Sequence, residues 1–419
     1  MSIRLKVALT AVELDDVFKL RYDVYVTEQS KFSEKRATSD GRIVDHFDTL
    51  PGVANIVAYD GDVAVASFRV NRDSSIGLAP EKYFDFAHVR KDISVSGEKG
   101  QYPSCIVSGS MLAIREKWRH QRKVILALFR KTTAVMQGWG ATHVFGAASA
   151  DTFSLYGRLG FHSVAEEQWV ESIGDSLVPM MAPFDKVSTW AFGQINPTVR
   201  HFWLDNYSGQ FETILLSPGE VLFQESDEAK HAYSVYKGSV TISRDGPDGT
   251  DFQIAHLSQG TLFGELAMFD GEPRSATATA TMNTEVIAIA YDHLLEVIHR
   301  DPDKMNQLLL HFTDRLRQID QLAMVQSFAP QTSRVAFELH ELWNTARPEK
   351  EHSATRIVQI DAGQIARRAK VRESEVRRVL ETGRAAGRLD YGDNVLRFFK
   401  EPDNDDNIHT ERHSNDRGQ

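Results

Sequence analysis

The sequence predicts an α+β multidomain chain, and three observations carry that expectation. At 419 residues the chain is longer than one hydrophobic core serves. Its texture changes twice: mixed helix and strand patterns give way to short strands rich in turn residues, and these to helices ending in a small basic module. Its composition, 42% hydrophobic and 25% charged, is that of ordinary folded protein. The divisions fall at 1–195, 196–328 and 329–400, with a polar tail over 401–419.

The net charge of −10 argues against a chain coated in nucleic acid, but not against one local basic module. Cys105 is the only cysteine, so no intrachain disulfide can form and a reducing compartment fits best. The apolar run Val7–Val12 is short and leads into Glu13, Asp15 and Asp16, unlike a secretory signal. No stretch approaches the roughly 20 apolar residues of a membrane span. A cytoplasmic protein without a membrane partner is expected.

In the first division, Glu13–Glu28 has helical spacing, and Ala54–Tyr59 and Val63–Val70 read as strands split by the turn Asp60-Gly61-Asp62. A strand (Ile106–Ile114), a helix (Lys123–Gln137) and a strand (His143–Ala148) follow, and Pro179, Pro183 and Pro197 mark a joining stretch. From about 209 to 292 short strands predict an all-β roll: Glu220–Gln224, Tyr233–Tyr236, Ser239–Arg244 and Phe252–Leu257, with a hairpin loop over Arg244–Gly249. After Pro302, the residues Met305, Leu309, Phe312, Leu316, Ile319 and Ala323 step by four and three. That seam predicts a long helix pairing with its copy in a homodimer, the alternative being a helix lying on its own domain. The tail Glu401–Gln419 is polar and expected to be disordered, and His409 and His413 in it are expected to be solvated rather than ligands. The other histidines lack metal-ligand spacing, and no metal is expected.

Gly260–Ala278 is the most informative segment. Gly264 would open a short helix whose free N–H groups face an anion, and glycine permits close approach. Arg274 offers a guanidinium fork for two phosphate oxygens, and Glu265 a carboxylate suited to a ribose hydroxyl. One arginine and one glutamate match a singly charged cyclic phosphodiester beside a free 2′-hydroxyl. The segment, with Gly264-Glu265-Leu266-Ala267 and Pro273-Arg274-Ser275-Ala276-Thr277, resembles the cyclic-nucleotide-binding domain family over about 209–325. The resemblance implies that Phe263, Gly264, Glu265, Leu266, Ala267, Arg274 and Ser275 hold the nucleotide. It also places Ile319 and Asp320 where bacterial cAMP receptors set a Thr-Ser pair against adenine. That departure leaves cAMP the default ligand and cGMP open. The alternative is a binding fold that has lost its ligand.

Further on, Asp361 and Gln364 form a capping box, Ile365, Ala366 and Ala369 mark one helix, and Val376, Val379 and Leu380 a second. Residues 355–400 hold 11 Lys/Arg against 6 Asp/Glu, a local excess of +5 that suits double-stranded DNA. The pattern, with a wing over Gly387–Phe398, resembles the winged helix-turn-helix of the catabolite-activator family. By that resemblance Arg372, Glu373, Ser374, Arg377 and Arg378 face DNA. Glu373 and Ser374 stand where that family often has Arg-Glu, so a different sequence is read. The alternative is a salt-bridged surface helix.

In the first division, Leu155-Tyr156-Gly157-Arg158-Leu159-Gly160-Phe161 resembles the late motif of GNAT-type acyltransferases, whose tyrosine protonates a departing thiolate. Arg21-Tyr22-Asp23-Val24-Tyr25, Asp45-His46-Phe47-Asp48 and Phe68-Arg69-Val70 resemble the branch of long-chain N-acyl amino acid synthases and acyl-homoserine-lactone synthases. The resemblance covers about 15–165 and implies a GNAT-like α/β domain with Tyr156, Arg21, Asp45, Asp48 and Arg69 at the catalytic centre. The four charged residues could equally be an ion-pair cluster that holds the fold. The usual coenzyme A cradle is here Arg119-His120-Gln121-Arg122-Lys123-Val124, where Arg122 and Val124 crowd the backbone. Ser108 and Met111 replace the acid and arginine of lactone synthases, which disfavours that chemistry. Arg115, Lys117, Arg119, Arg122, Lys123, Arg130 and Lys131 form an expected basic surface for acyl-carrier protein or, weakly, acyl-CoA, with Arg119, Arg122 and Lys123 nearest the donor. The domain is read as either an acyltransferase or an acyl-binding relic. For the whole chain this leaves a cyclic-nucleotide-responsive transcription regulator, or alternatively a nucleotide-gated N-acyltransferase.

Overall fold

The computed structural model describes residues 2–32, 37–96, 104–192, 211–245, 251–300, 302–349 and 354–402. Strand β1 (Ile3–Val7) leads to helix α1 (Ala11–Tyr22), opened by a reciprocal capping box between Thr10 and Glu13. The helical pattern expected to reach Glu28 widens at Asp23–Glu28 into a π-helical turn. A hairpin of β2 (Val53–Asp60) and β3 (Val63–Arg72) follows, then α2 (Ala87–Ser96), β4 (Ile106–Ile114), α3 (Arg122–Gly138), β5 (His143–Ser149) and α4 (Ala150–Gly157). The first division ends with β6 (His162–Ser163), β7 (Gln168–Val170), β8 (Asp175–Pro183) and α5 (Phe184–Phe192). Pro179 and Pro183, expected in a joining stretch, instead stand on β8. A proline removes one donor from the ladder but keeps its acceptor, and Val164 N–H donates to Pro179 O at 3.0 Å. Pro197 lies outside the described residues.

The roll comprises β9 (Glu212–Leu216), β10 (Val221–Phe223), β11 (His231–Lys237), β12 (Val240–Asp245), β13 (Asp251–Leu257), β14 (Leu262–Phe263), the short α6 (Leu266–Asp270), β15 (Thr277–Ala280) and β16 (Thr284–Ala290). Most of the loop expected at Arg244–Gly249 lies outside the described residues.

One sheet of order β14-β11-β16-β9-β1-β2-β3-β4-β5-β8-β6, with β7 also on β8, runs through both patterns. Its seam is the antiparallel pair β1–β9, with Ile3 opposite Leu215 and Leu5 opposite Thr213. The amphipathic α3 packs on this sheet and buries Val124, Ala127, Leu128 and Met136 against Ile3, Ile56 and Leu215. The chain divides into two compact units, Met1–Arg244 with Ser258–Leu294, and Asp245–Leu257 with Leu295–Gln419.

The remaining elements are α7 (Tyr291–Arg300), α8 (Pro302–Phe328), α9 (Gln331–Thr345), β17 (Arg347–Pro348), β18 (Arg356–Gln359), α10 (Ala362–Ala369), α11 (Glu373–Ala385), β19 (Leu389–Gly392) and β20 (Val395–Phe398). Val335, Leu339, Ile365, Val376, Leu380 and Phe398 build the core of this C-terminal module. On α8 the seam residues Leu309 and Leu316 are 53% and 63% exposed. Residues 403–419, including His409 and His413, lie outside the described residues. Among the described residues no helix is long and apolar enough to cross a membrane, and no His/Cys/Asp/Glu group could hold a metal ion.

Candidate functional site

In the first unit the sheet opens between β4 and β5. These are parallel neighbours only over Ile106–Ser108 against His143–Phe145, after which they part. On the other flank of β4 the register with β3 shifts between Ser67↔Ala113 and Arg69↔Ser110, and Met111 adopts φ 53°. A bulge of this kind bends its strand away from the ladder. The opening leads to a cavity of about 480 Å³, lined by Gly109–Leu112, by Phe145–Ser149, and by apolar side chains that include Phe129, Met136, Phe161 and Trp190.

Tyr156, on α4, lines this cavity. Its ring meets Phe129 and Phe161 edge to face at 5.7 and 5.9 Å. Burial pushes its phenol up to about 12, so it stays protonated and able to donate at neutral pH. Asp45 and Arg69 also reach the wall. Arg69 bonds Asp45 at 2.5 Å, Asp48 at 2.9 Å and Ser110 Oγ at 3.1 Å. Arg21, fully buried, donates twice to Asp48 at 3.0 Å and once to Asn55 Oδ1 at 2.5 Å. Burial works to raise the Asp48 carboxyl, but Arg21 and Arg69 outweigh it and hold it below the usual range. The four charges therefore satisfy one another, and the network fixes β3 against the bulged β4.

The expected basic surface requires correction. Arg115 pairs with Asp23, Arg119 with Glu28, and Arg130 with Glu285 on β16. Lys123 donates to Ser217 Oγ at 3.2 Å, and the buried Lys131 donates to the Phe211 carbonyl. Helical rotation of about 100° per residue turns neighbours in sequence toward different partners, so a basic run need not make a basic face. Of the expected donor residues, Arg119 lines the cavity, Arg122 begins α3, and Lys123 is bonded toward the roll. Sequence reasoning missed the Met111 bulge. It also missed Tyr25 as a wall residue, whose hydroxyl donates to Leu112 O at 2.8 Å.

In the roll, β14 carries the buried Phe263 into Gly264, at φ 69°. A Cβ there would lie 2.7 Å from Arg274 Nη1, so the position requires glycine on two grounds. Arg274 is 5% exposed. Its Nη1 donates to Gly264 O at 2.7 Å and Tyr291 Oη at 3.2 Å, its Nη2 to His231 O at 2.7 Å, and its guanidinium lies 4.2 Å from the Phe223 ring centroid. Glu265 precedes α6 and is fully buried. Burial raises the Tyr291 phenol, Arg274 pulls it down and Glu265 pushes it up, which puts both charges around that ring. Leu266 and Ser275 are exposed and Ala267 is half-buried. This set fits a phosphate and a ribose: a buried guanidinium, a carboxylate, and backbone free of a Cβ. Ile319 and Asp320 fall on α8 in the other unit. Asp320 is exposed, and the Ile319 side chain lies outside the described residues.

In the second unit, Asp361 and Gln364 close the capping box at 2.6 and 2.9 Å. Lys370, at φ 52°, turns the chain, and α11 buries Val376 and Leu380. Arg372, Glu373, Ser374, Arg377 and Arg378 are all exposed on its outer side. Arg377 pairs with Glu373 and Arg378 with Glu375, each at 2.5 Å. The β19–β20 hairpin turns through Asp393 and Asn394, both at positive φ.

Two family models match parts of the chain. Residues 213–301 match the family model described as cyclic nucleotide-binding domain, and residues 16–183 the one described as N-acyl amino acid synthase FeeM. The earlier stretch of the chain is thus similar to an N-acyl amino acid synthase and the later one to a cyclic-nucleotide-binding domain.

The chain is similar to the cyclic AMP receptor protein of Thermus thermophilus, 33% identical over 132 residues, which are 32% of this chain and 61% of that protein. It is also similar to the cAMP-activated global transcriptional regulator Vfr of Pseudomonas aeruginosa, 33% identical over 120 residues, 28% of this chain and 56% of that protein. The chain thus spans about six-tenths of the length of the curated relatives it matches. Among solved structures, the Thermus thermophilus catabolite activator protein aligns at 27% identity, covering 49% of this chain and 92% of that one, with a TM-score of 0.27.

Proposed function

We propose that the protein is a homodimeric transcription regulator that responds to a cyclic nucleotide, cAMP by default, and carries an acyl-binding or acyl-transferring domain. The observation that carries this reading is the arrangement of Gly264, Glu265 and Arg274 around Tyr291, within a domain whose relatives are cAMP-activated regulators. Nucleotide phosphate would take over Arg274 bonds now made to Gly264 O and Tyr291 Oη, which couples ligand to the base of α7. The outer side of α11 then presents Arg372, Arg377 and Arg378 to DNA phosphates or guanine edges, and the exposed seam of α8 supports pairing of two copies.

The cavity supports a second reading, N-acyl transfer under nucleotide control. An acceptor amine attacks the thioester carbonyl of acyl-carrier protein or acyl-CoA, the C–N bond forms and the C–S bond breaks. Tyr156 gives its proton to the departing thiolate and regains one from the amine nitrogen. This reading is favoured by the attachment of α3, a cavity wall, to the roll through Arg130–Glu285, Lys131 and Lys123. Native mass spectrometry of the purified chain tests both readings. A bound mass of cAMP or cGMP is expected, with an acylated species beside it, whereas absence of any nucleotide after incubation with cAMP contradicts the regulator.

A further inference from the structure

Helix α3 touches the acyl cavity on one side and the nucleotide roll on the other. Ile125, Phe129, Thr132, Thr133 and Met136 line the cavity, whereas Lys123, Arg130 and Lys131 bond to Ser217, Glu285 and Phe211. At about 100° per residue the first set falls within one arc of about 100°, and the second within the arc opposite. The helix is continuous over 17 residues, so a displacement of one face is a displacement of the other.

From the second face a short path of contacts runs to the phosphate site. Lys131, 3% exposed, donates to the carbonyl of the buried Phe211, just before β9. The Phe211 ring meets that of His293, on the first turn of α7, at 5.1 Å. Tyr291 opens the same turn, donates to Gly264 O at 2.8 Å and accepts from Arg274 Nη1 at 3.2 Å. A phosphate taking over Arg274 must displace the Tyr291 hydroxyl, and with it the turn that leans on Phe211. Close-packed interiors do not absorb such a shift locally, so it passes to α3. There the room to move is the cavity of about 480 Å³. An acyl chain that fills the cavity takes that room away.

We propose that an acyl ligand in the cavity and a cyclic nucleotide on Arg274 oppose each other's binding, through α3, Phe211 and the first turn of α7. The acyl compound is thereby a second effector of the regulator, and by linkage each ligand weakens the other by the same factor. The coupling rests on the reading of both sites given above. It holds whether the first unit transfers an acyl group or only binds one.

Isothermal titration of cAMP into the full chain, with and without saturating monomeric N-dodecanoylglycine, tests it without requiring turnover. The wild-type dissociation constant for cAMP should rise about fivefold or more with the acyl compound present, and the reverse titration should give the same factor. Lys131→Met and His293→Ala, which lie outside both sites, should each bind either ligand alone as the wild type does. In both variants the factor should fall to within about twofold of one. Should Lys131→Met fail to fold, His293→Ala, at a half-buried position, reads the same link. A wild-type cAMP affinity that N-dodecanoylglycine leaves unchanged or tightens would overturn the coupling with both sites standing, as would a factor undiminished in the variants. Failure of the wild type to bind N-dodecanoylglycine alone, or cAMP alone, would overturn the acyl or the nucleotide reading respectively, and the coupling with it.

Discussion

Gly264 and Arg274 occupy adjoining space so closely that neither position is free to vary. The glycine backbone turns at positive φ and accepts from the arginine at 2.7 Å, and any Cβ would displace the guanidinium. This pair was readable from sequence, because glycine and arginine at that spacing have few other joint uses. Arg378 was equally readable as an exposed residue early on a second helix, but its pairing with Glu375 adds a requirement. To read a base edge the arginine must leave a carboxylate, and only a matched base repays that exchange. Arg378→Ala should therefore weaken binding to the preferred duplex by roughly tenfold or more while lowering nonspecific binding less. Fluorescence anisotropy on cognate and scrambled duplexes checks this, and equal losses on both would make Arg378 a phosphate contact. Met111 was not readable at all. Its positive φ comes from the mismatch between β3 and β4, and nothing in a methionine announces it.

At the scale of elements, most strands and helices lie within a few residues of where periodicity put them, since each signal is local. What periodicity could not supply was the partner of β1. Its pairing with β9, more than 200 residues away, has no local signature, and it carries the sheet from one pattern into the next. Helix α3 follows the same seam, and Lys131 is its most unusual link. Burial pulls its ammonium down to about 7 from its ordinary 10.5, against the opposing pull of Glu212. Between about pH 7 and 10 the unfolded chain therefore holds a proton that the folded chain lacks, so raising the pH through that window favours the fold. Below it, folding must bury the charge and the stability is lost. Urea unfolding midpoints should rise from pH 7 toward 9.5, and Lys131→Met should flatten that slope. A slope unchanged by the substitution would show that other groups set it.

For the whole molecule, the three textures lead the sequence to be read as modules in series, with the charge excess in the last. The heptad rhythm of α8 sets Leu309 and Leu316 on one stripe, and both are exposed. Leu316→Glu should convert a dimer to a monomer in sedimentation velocity, with the helical content unchanged. A wild-type chain that already sediments as a monomer would contradict the pairing. The division into two compact units was not legible, because it follows contacts between segments distant in sequence.

The central claim is that a cyclic nucleotide sits on Gly264, Glu265 and Arg274, and isothermal titration of cAMP into wild type and Arg274→Ala tests it most directly. The arrangement predicts one saturable site per chain in the wild type, lost in the variant while its thermal unfolding stays cooperative. Unchanged affinity in Arg274→Ala, or no heat with either cAMP or cGMP in the wild type, would contradict it.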